Sequence, residues 1–595
     1  MAPAETPEAT LETNEVVHEK VDQPADHQPA DQLAAASQDA LPKTALSSEP
    51  SIEDEPAPHL HAKTFLIVFA VCFIYFAQLI NVVGAGAQAQ TVVAVVGGSS
   101  DSVWLTSTIA IFTVVLSPVV SQAADYWGRR WILIILTFCG VIGSIVVARA
   151  NSIGMAIAGF TVTGIAYGAQ PLLHAVASEV LPRRYRPWAQ GATNLSAALG
   201  GVVALLAGGA MTRNGNAEGF RNYWYLATAV FAVATLLTAV LYTPPKTPNQ
   251  LNFTTSEKLG KLDWIGYALL SSSLVLFCIG LSWSQNPYPW SDPHTSATFA
   301  VGLALLLGLI VYETWFKTDG MLHHDLFNHR NFAIALGCVF VEGLVFFAAN
   351  NYFAYEVSVL YETDTLRTGL RYTINMLVYG TSAVFAGFYC SKTKNVRWPA
   401  FAAFVSMVIF FVLMATATPS ATSSRNVWGY PIFLGLGLGI CLCALVTVAQ
   451  LSTPRELIAI TSGLMIGMRS LGGSVGLAIY NAILSGHLNK YLGANIAAAV
   501  LPLGLPETSL GDLISALAAQ DTAALEAVPG ITGEIIGAAV GALKSTYSVA
   551  FRWVWVAAGS FTVVAAVAAV FLIDPKKEFN NHIDAPAEKA EDLYN

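Results

Sequence analysis

LPRRYRPWAQGATNLSAALGG (residues 181–201) and TPRELIAITSGLMIGMRSLGG (residues 453–473) are the two stretches on which the fold is read. Each opens with a Pro-Arg pair, Pro182-Arg183 and Pro454-Arg455. Nine residues after the proline stands a glycine, Gly191 or Gly463, and nine further on the pair Gly200-Gly201 or Gly472-Gly473. Leu199 and Leu471 also correspond, and the offset is 272 residues throughout. Both stretches lead from a basic, polar segment into a long apolar run. Aligned positions with identical gaps and identical context indicate an internal duplication, not a chance glycine pair.

The surrounding composition says what is duplicated. The 595 residues are 54% hydrophobic and only 12% charged, and mean hydropathy is +0.55. Soluble globular domains carry about 25% charged residues, so an ordinary soluble enzyme and a nucleic-acid binder are both excluded. The seven cysteines fall within or at the ends of apolar runs and read as small buried hydrophobes. The net charge of -9 resides in the two ends: residues 1–63 hold 13 acidic residues and 3 Lys, and residues 574–595 hold 6 acidic residues and 3 Lys. The first of these, rich in Ala, Pro, Glu and Asp, reads as a disordered acidic tail. It lacks the basic start and early apolar core of a signal peptide, so the run from Thr64 is expected to serve as an internal signal anchor.

A membrane-crossing helix needs about 20 apolar residues. Fourteen runs satisfy this: 64–88, 103–124, 131–149, 152–177, 188–211, 221–242, 263–283, 297–316, 332–355, 368–390, 399–418, 428–450, 460–484 and 548–573. Backbone groups must be satisfied internally in lipid, so the fold class is all-α: a polytopic membrane protein of 14 transmembrane helices. The duplication pairs helix 5 with helix 13. Residues 64–242 then form one six-helix bundle and residues 332–573 the other, with two inserted helices in the linker 243–331. Segment 485–547 is expected to be an outer helical cap around the weakly amphipathic stretch 510–525. With the N-terminus inside, the inner segments hold Arg129, Arg130, Arg183, Arg184, Arg186, Lys392, Lys394, Arg397 and Arg455, while the outer loops hold few basic residues. This fits the positive-inside rule and puts both termini in the cytoplasm. Trp104, Trp188, Trp224, Trp264, Trp283, Trp315, Trp398 and Trp428 stand near proposed helix ends, as headgroup-level rings should.

After the second run comes Ser121-Gln-Ala-Ala-Asp125-Tyr-Trp-Gly128-Arg129-Arg130. This resembles the signature loop of the major facilitator superfamily, Gly-x-x-x-Asp-x-x-Gly-Arg-Arg/Lys, with Ser121 in place of the leading glycine. The resemblance implies a conformational latch of Asp125, Gly128, Arg129 and Arg130. A degenerate echo, Gly387-Phe-Tyr-Cys-Ser391-Lys392, has serine where the aspartate would stand. Fourteen spans resemble the drug:proton antiporter type. Residues 168–186 and Arg469-Ser-Leu-Gly-Gly473-Ser-Val-Gly476 resemble the fungal trichothecene efflux pump family, and less closely fungal siderophore–iron transporters. Two features of related antiporters are missing: Phe160 stands where helix 4 often carries arginine, and Ala197–Gly201 lacks a proline.

Ionisable residues inside a membrane are costly and face a cavity or a partner. Glu342 in helix 9 and Arg469 in helix 13 lie at similar depth, as a central ion pair or a proton-coupling site. Gln78, Asn81, Gln170, His174, Asn194, Asn350, Asn351 and Tyr355 are further candidates for a substrate cavity, since neutral polar groups bind an oxygen-bearing ligand without demanding charge. The repeat glycines allow close helix approach. No phosphate-binding loop, metal-ligand cluster or channel filter sequence is found, so no cofactor, metal or enzymatic activity is expected.

Duplicated halves of this kind surround a midplane substrate site in secondary transporters. The resemblance implies proton-coupled efflux of a hydrophobic small molecule by alternating access, with siderophore–iron uptake by proton symport as the alternative. The expected partners are substrate, protons and the lipid bilayer, with no nucleic acid. The expected setting is a monomer in the plasma membrane.

Overall fold

The computed structural model describes residues 58, 60–98, 104–213, 216–245, 250–251, 253–284, 288–317, 320–362, 364–418, 422, 424–519 and 525–586. The acidic N-terminal segment expected to be disordered lies outside them as far as residue 57, and residues 587–595 of the C-terminal tail do too. Among the described residues the regular elements are helices, with one isolated bridge between Ser284 and Tyr288.

The first half comprises α1 (Ala62–Val96), α2 (Trp104–Trp127), α3 (Arg129–Ala148), α4 (Ile153–Tyr167), α5 (Gln170–Glu179), α6 (Arg186–Met211) and α7 (Gly219–Leu241). A short α8 (Thr255–Lys261) leads to the inserted hairpin α9 (Trp264–Trp283) and α10 (Pro293–Val311). The second half comprises α11 (Arg330–Ala348), α12 (Ala354–Leu360), α13 (Thr365–Thr393), α14 (Arg397–Thr416), α15 (Tyr430–Leu451), α16 (Ile458–Val500), α17 (Leu510–Ala519) and α18 (Gly533–Ala569).

Among the described residues thirteen helical stretches are long and apolar enough to cross a membrane. The expected span 368–390 is present as α13, but it is not among the thirteen. Its inward face carries Thr368, Arg371, Thr373, Asn375 and Ser382, all buried, and these lower its hydropathy. The expected fourth span is split into α4 and α5. Pro171 lacks the N–H that would continue the backbone ladder, and the chain turns at Gly168-Ala169. The expected ninth span likewise becomes α11, a π-helical turn at Ala349–Phe353, and α12.

Segment 485–547 is more helical than expected. α16 continues to Val500 and α18 begins at Gly533, so the cap is largely the prolongation of two membrane helices. Together with α17 it encloses its own apolar core of Ile496, Val500, Leu505, Leu513, Leu517, Val528 and Ile535. The tryptophan reading also needs one correction. Trp224 is fully buried and packs edge-on against Phe160 at 5.0 Å, so it belongs to the core, not to a headgroup belt. By contrast Trp188, Trp264, Trp315 and Trp398 are exposed.

The packing of one half repeats in the other. Within the first half α1 packs on α6, α2 and α3 on α4, and α7 on α1 and α3; within the second, α11 packs on α16, α13 and α14 on α15, and α18 on α11 and α14. The halves meet along two seams, α6 with α13 and α2 with α16, which are equivalents under the repeat. The inserted α9 and α10 pack mainly on each other, and α9 also touches α2 and α16. Parallel repeats related by an axis along the membrane normal have this arrangement.

The repeat glycines explain how the seams close. A Cβ at Gly191 would lie 2.9 Å from the Ala383 carbonyl oxygen, and one at Gly463 would lie 3.0 Å from that of Ser117. These are the two equivalent seams. Gly200 and Gly472 meet the backbone carbonyls of Phe76 and Phe340, inside each half. Gly201 faces Met376 across the first seam, whereas Gly473 faces Phe347 within its own half, so this last pair does not correspond. Without a hydrophobic force between helices in lipid, association depends on such close contact. Replacing Gly472 with valine is therefore expected to push α16 off α11. Overpacking of this kind costs about 1–3 kcal/mol, read as a lowered midpoint of thermal unfolding in lipid nanodiscs. An unchanged midpoint would show that the backbones can separate without loss.

Candidate functional site

Glu342 and Arg469 form a bidentate pair. Arg469 donates from Nε to Glu342 Oε2 at 2.6 Å and from Nη2 to Oε1 at 3.0 Å. Glu342 is fully buried and Arg469 6% exposed, and the guanidinium lies over the Phe346 ring at 4.4 Å. A paired charge of this geometry is tolerable in a dry interior; removing one partner costs about 3–5 kcal/mol, because the other is left uncompensated.

The pair has no counterpart in the first half. Under the 272-residue offset Arg469 corresponds to Ala197. The equivalent contacts of Gly200 with Phe76 and Gly472 with Phe340 place Gln78 opposite Glu342. The strong charge thus belongs to one half only.

What faces the pair is neutral and polar, and most of it comes from the other half. Gln170 donates to the Tyr75 hydroxyl at 3.1 Å, and Tyr379, on α13 of the second half, lies near enough to Tyr75 for the two hydroxyls to interact. Tyr379 in turn donates to Asn194 Oδ1 at 2.8 Å. Tyr75 stacks edge-on against His174 at 5.3 Å. The charges of Arg469 and Glu342 reach both tyrosines. Of the expected residues, the fold therefore gathers Glu342, Arg469, Gln170, His174 and Asn194. Tyr75 and Tyr379 were missed, since a tyrosine in an apolar run carries no signal of its own.

The remaining candidates lie elsewhere. Gln78 donates to the Ala166 carbonyl at 3.0 Å and Asn81 to Ser144 at 3.4 Å; both tie helices within the first half. Asn351 bonds back to the Phe347 carbonyl at 2.9 Å. Tyr355 is 39% exposed and meets the Tyr547 hydroxyl at 3.2 Å, on an outer face. Asn350 stands against Gly86 of α1, where its Nδ2 would lie 3.0 Å from a Cβ.

A second symmetric device lies toward the tail end, the end that bears the start of α1 and the end of α18. Gln190 (α6) donates to Ser178 (α5) at 2.7 Å, and Gln450 (α15) donates to Ser462 (α16) at 2.9 Å. Adding 272 to Ser178 and Gln190 gives Gln450 and Ser462, so the same bond is made twice with donor and acceptor exchanged. Gln190 also donates to the His174 carbonyl at 3.1 Å, and its Oε1 accepts from His174 Nδ1 at 2.6 Å. Gln450 reaches the same carbonyl at 3.4 Å, which links the two halves.

At the loop after α2, Gly128 has φ +86° and caps α3, a left-handed conformation that favours glycine. Arg129 lies 3.6 Å from Asp125 and donates to Glu179 at the end of α5 at 2.9 Å. Arg130 donates to the Ala239 carbonyl near the end of α7 at 2.9 Å. The motif thus ties the ends of α2, α3, α5 and α7. Glu179 is a partner that the motif alone does not indicate.

The C-terminal segment that follows α18 is docked across this end. Arg183 donates to Asp584 at 3.0 Å and to Glu578 at 2.5 Å; fully buried Arg186 pairs with Asp584 and donates to the Gln450 carbonyl at 3.0 Å. Three backbone bonds add to these: Arg183 N to His582 O and Arg184 N to Asn580 O, both 2.9 Å, and Ala585 N to Glu179 O at 3.1 Å. Asp574 caps α14 through Val396 N at 2.8 Å, and Arg455 reaches His582 at 3.0 Å. The strap thus holds the Leu181–Arg186 turn of one half while rooted in the other. Beside it lies a cavity of about 780 Å³ that Arg183, Arg455, Lys576 and Glu578 help to line.

Two packed halves, a buried charge pair in one of them and a charged loop that ties helix ends together define a class. A family model of the major facilitator superfamily matches residues 64–477, and the chain belongs to that superfamily: it is a multi-pass membrane transporter. It is 24% identical over 461 residues to the efflux pump FUS6 of Gibberella fujikuroi, covering 76% of this chain and 81% of that one. It is 26% identical over 550 residues to the MFS-type efflux transporter ffsH of Aspergillus flavipes, covering 90% and 91%. Among solved structures it resembles a bacterial homologue of the human lysosomal transporter Spinster in an inward-facing, occupied conformation. The TM-score is 0.52 at 15% identity, over 86% of this chain and 97% of that one. It also resembles the proton:xylose symporter XylE (TM-score 0.51, 14% identity, 85% and 95% covered). These two likenesses show the fold alone.

Burial raises the Asp584 carboxyl, but the pull of Arg186 and Arg183 outweighs it and leaves the group below its usual value of 3.8. A depressed carboxylate contributes docking energy that is present above its usual range and lost only as pH falls below it. The strap should stay seated from roughly pH 5 to pH 8. Asp584→Asn should remove a charge-assisted contact of about 1.5–3 kcal/mol. Hydrogen exchange at Arg183, Arg184 and Ala585 should then rise at least about tenfold, equally across that pH range. Unchanged protection would mean that the backbone bonds alone seat the strap.

Proposed function

We propose that this protein exports a hydrophobic small molecule across the plasma membrane in exchange for protons, by alternating access. The observation that carries this reading is the buried Glu342–Arg469 pair, held in one half and facing a neutral polar cluster built largely from the other. Relatives named efflux pumps favour export over siderophore uptake. The two bundles, 64–242 and 332–573, rock about the central cluster, and both tails face the cytoplasm.

A proton arriving on Glu342 takes up the oxygen lone pair that Arg469 uses. The bidentate bond is lost, the carboxyl becomes neutral, and the guanidinium is left facing Phe346, Tyr75 and Tyr379. This state binds differently across the seam from the paired one, as coupling requires. The substrate is held by apolar and aromatic surface with few neutral hydrogen-bonding groups, chiefly Gln170, Asn194 and the two tyrosines. On the cytoplasmic side the Gln450–His174 and Arg186–Gln450 bonds and the strap hold the halves together, while the Asp125–Arg129–Glu179 latch and the Gln–Ser bonds brace each half; opening inward requires that the contacts between the halves break.

The test starts from a deletion strain of the source organism, challenged with toxic hydrophobic compounds and, separately, with ferric siderophores as sole iron. Hypersensitivity with raised intracellular compound is expected. Lost iron uptake with unchanged tolerance would reverse the direction. Complementation with Glu342→Gln should restore the protein to the membrane but not pH-driven flux, whereas Arg469→Ala is expected to lower its stability as well. Normal pH-driven flux in the Glu342 variant would remove that residue from the mechanism.

A further inference from the structure

The inserted helices hold two carboxyl groups that the transport cycle does not use. Asp263 stands just before α9, and Glu313 stands in the π-helical turn Tyr312–Phe316 that continues α10. Their relative exposures are 3% and 1%. One oxygen of each is fully served by neighbours. Asp263 Oδ1 accepts from Gly266 N at 2.9 Å and from the Tyr312 hydroxyl at 3.2 Å. Glu313 Oε2 accepts from Leu322 N at 3.1 Å.

The other oxygen of each, Asp263 Oδ2 and Glu313 Oε1, is buried and receives no hydrogen bond from any donor atom. These two oxygens face a common space. A Cβ at Gly266 would lie against Asp263 Oδ2 and 2.7 Å from Glu313 Oε1, and one at Gly320 would lie 2.9 Å from Asp263 Oδ2. Both oxygens lie against the place a Gly266 Cβ would take, close enough for each carboxyl to act on the other. Two ionised carboxylates cannot share a dry site at this separation. An acceptor cannot bond an acceptor, so a donor belongs between them, and a single proton supplies it. Among the described residues no group of three or more His, Cys, Asp or Glu that could hold a metal ion is found.

The site is wired to the latch helix. Tyr267, whose ring hydroxyl feels both carboxyls, donates to Gln122 of α2, one turn before Asp125. Tyr126 of α2 with Lys261 over its ring at 6.0 Å, Tyr312, and the Lys317 ammonium near Tyr312 are further titratable groups on this side, with His324 on the Glu313 carbonyl at 3.1 Å. The same α9–α10 surface packs on Val114 and Val119 of α2 and on Leu471 of α16.

We propose that Asp263 and Glu313 form a binding site for one shared proton, and that its occupancy is transmitted through Tyr267 and Gln122 to the latch end of α2. Proton uptake forms one O–H···O bond between Oδ2 and Oε1 and breaks none. Its loss leaves two like charges that separate and displace Gly266 and Tyr267. The site is distinct from Glu342 and stands whether or not Glu342 couples transport.

The test needs no transported molecule. The full chain in lipid nanodiscs is examined by infrared spectroscopy while pH is varied, for the carbonyl stretch of a protonated carboxylic acid. Asp263→Asn and Glu313→Gln should each lose the same component of that band, because an amide satisfies the facing oxygen without a proton, whereas Glu342→Gln should keep it. Either variant suffices if the other fails to assemble. Hydrogen exchange over residues 122–127, corrected for intrinsic rate, should shift with pH in the wild type, and the shift should be lost in Tyr267→Phe with the band intact. A band unaltered in both dyad variants overturns the proposal. So does a band that calcium or magnesium removes at constant pH, which would make the pair a cation site.

Discussion

Hydrocarbon offers a backbone no partner for its N–H and C=O groups, and nearly everything in this protein follows from that. The chain must be helical wherever it crosses, and between helices the hydrophobic effect has nothing left to gain. What remains is contact and the occasional polar bond. Both are seen here. Gly191 and Gly463 let α6 and α16 meet the backbones of α13 and α2, and the Gln190–Ser178 and Gln450–Ser462 bonds tie α5 to α6 and α15 to α16 within each half. Repetition of the bond with exchanged partners shows that geometry, not residue identity, was retained after duplication.

Against that symmetry the charges are distributed unevenly. Glu342 and Arg469 belong to the second half, while Arg183, Arg186 and Arg129 secure the first. A symmetric charged centre would have no preferred response to one proton. An uneven one has two arrangements of different charge, one with the pair closed and one with a neutral acid and a separated guanidinium. The strap adds a further asymmetry, because it is rooted in one half and seated on the other. In the proposed cycle its release accompanies opening at the tail end, and the Arg186 and Arg183 guanidiniums that hold it keep the Asp584 carboxyl below its usual range.

Much of this was legible in the chain. Apolar runs located the spans because length and hydropathy suffice for that, and the spaced glycines and prolines of 181–201 and 453–473 located the repeat. Glu342 and Arg469 stood out because a charge in lipid needs a reason. The polar partners were less legible. Gln78, Asn81 and Gln170 look alike in sequence, yet only Gln170 reaches the centre, because helical rotation and the Pro171 break decide which way each points. Tyr75, Glu179 and Asp584 were invisible for a related reason: their partners are 95, 50 and about 400 residues away. The paired acids of the insert carry no signal of their own, because they meet only when α9 and α10 are folded together.

By itself the sequence determined the helical class, the duplicated halves, the two-helix insert and the existence of a central charge, since each depends on local composition or on spacing along the chain. Only the tertiary structure decided which polar groups face that charge, how the C-terminal segment bridges the halves, and that Asp263 and Glu313 share one space. Such pairings depend on where helices distant in sequence are rotated and how deeply they interlock, and no local pattern records that.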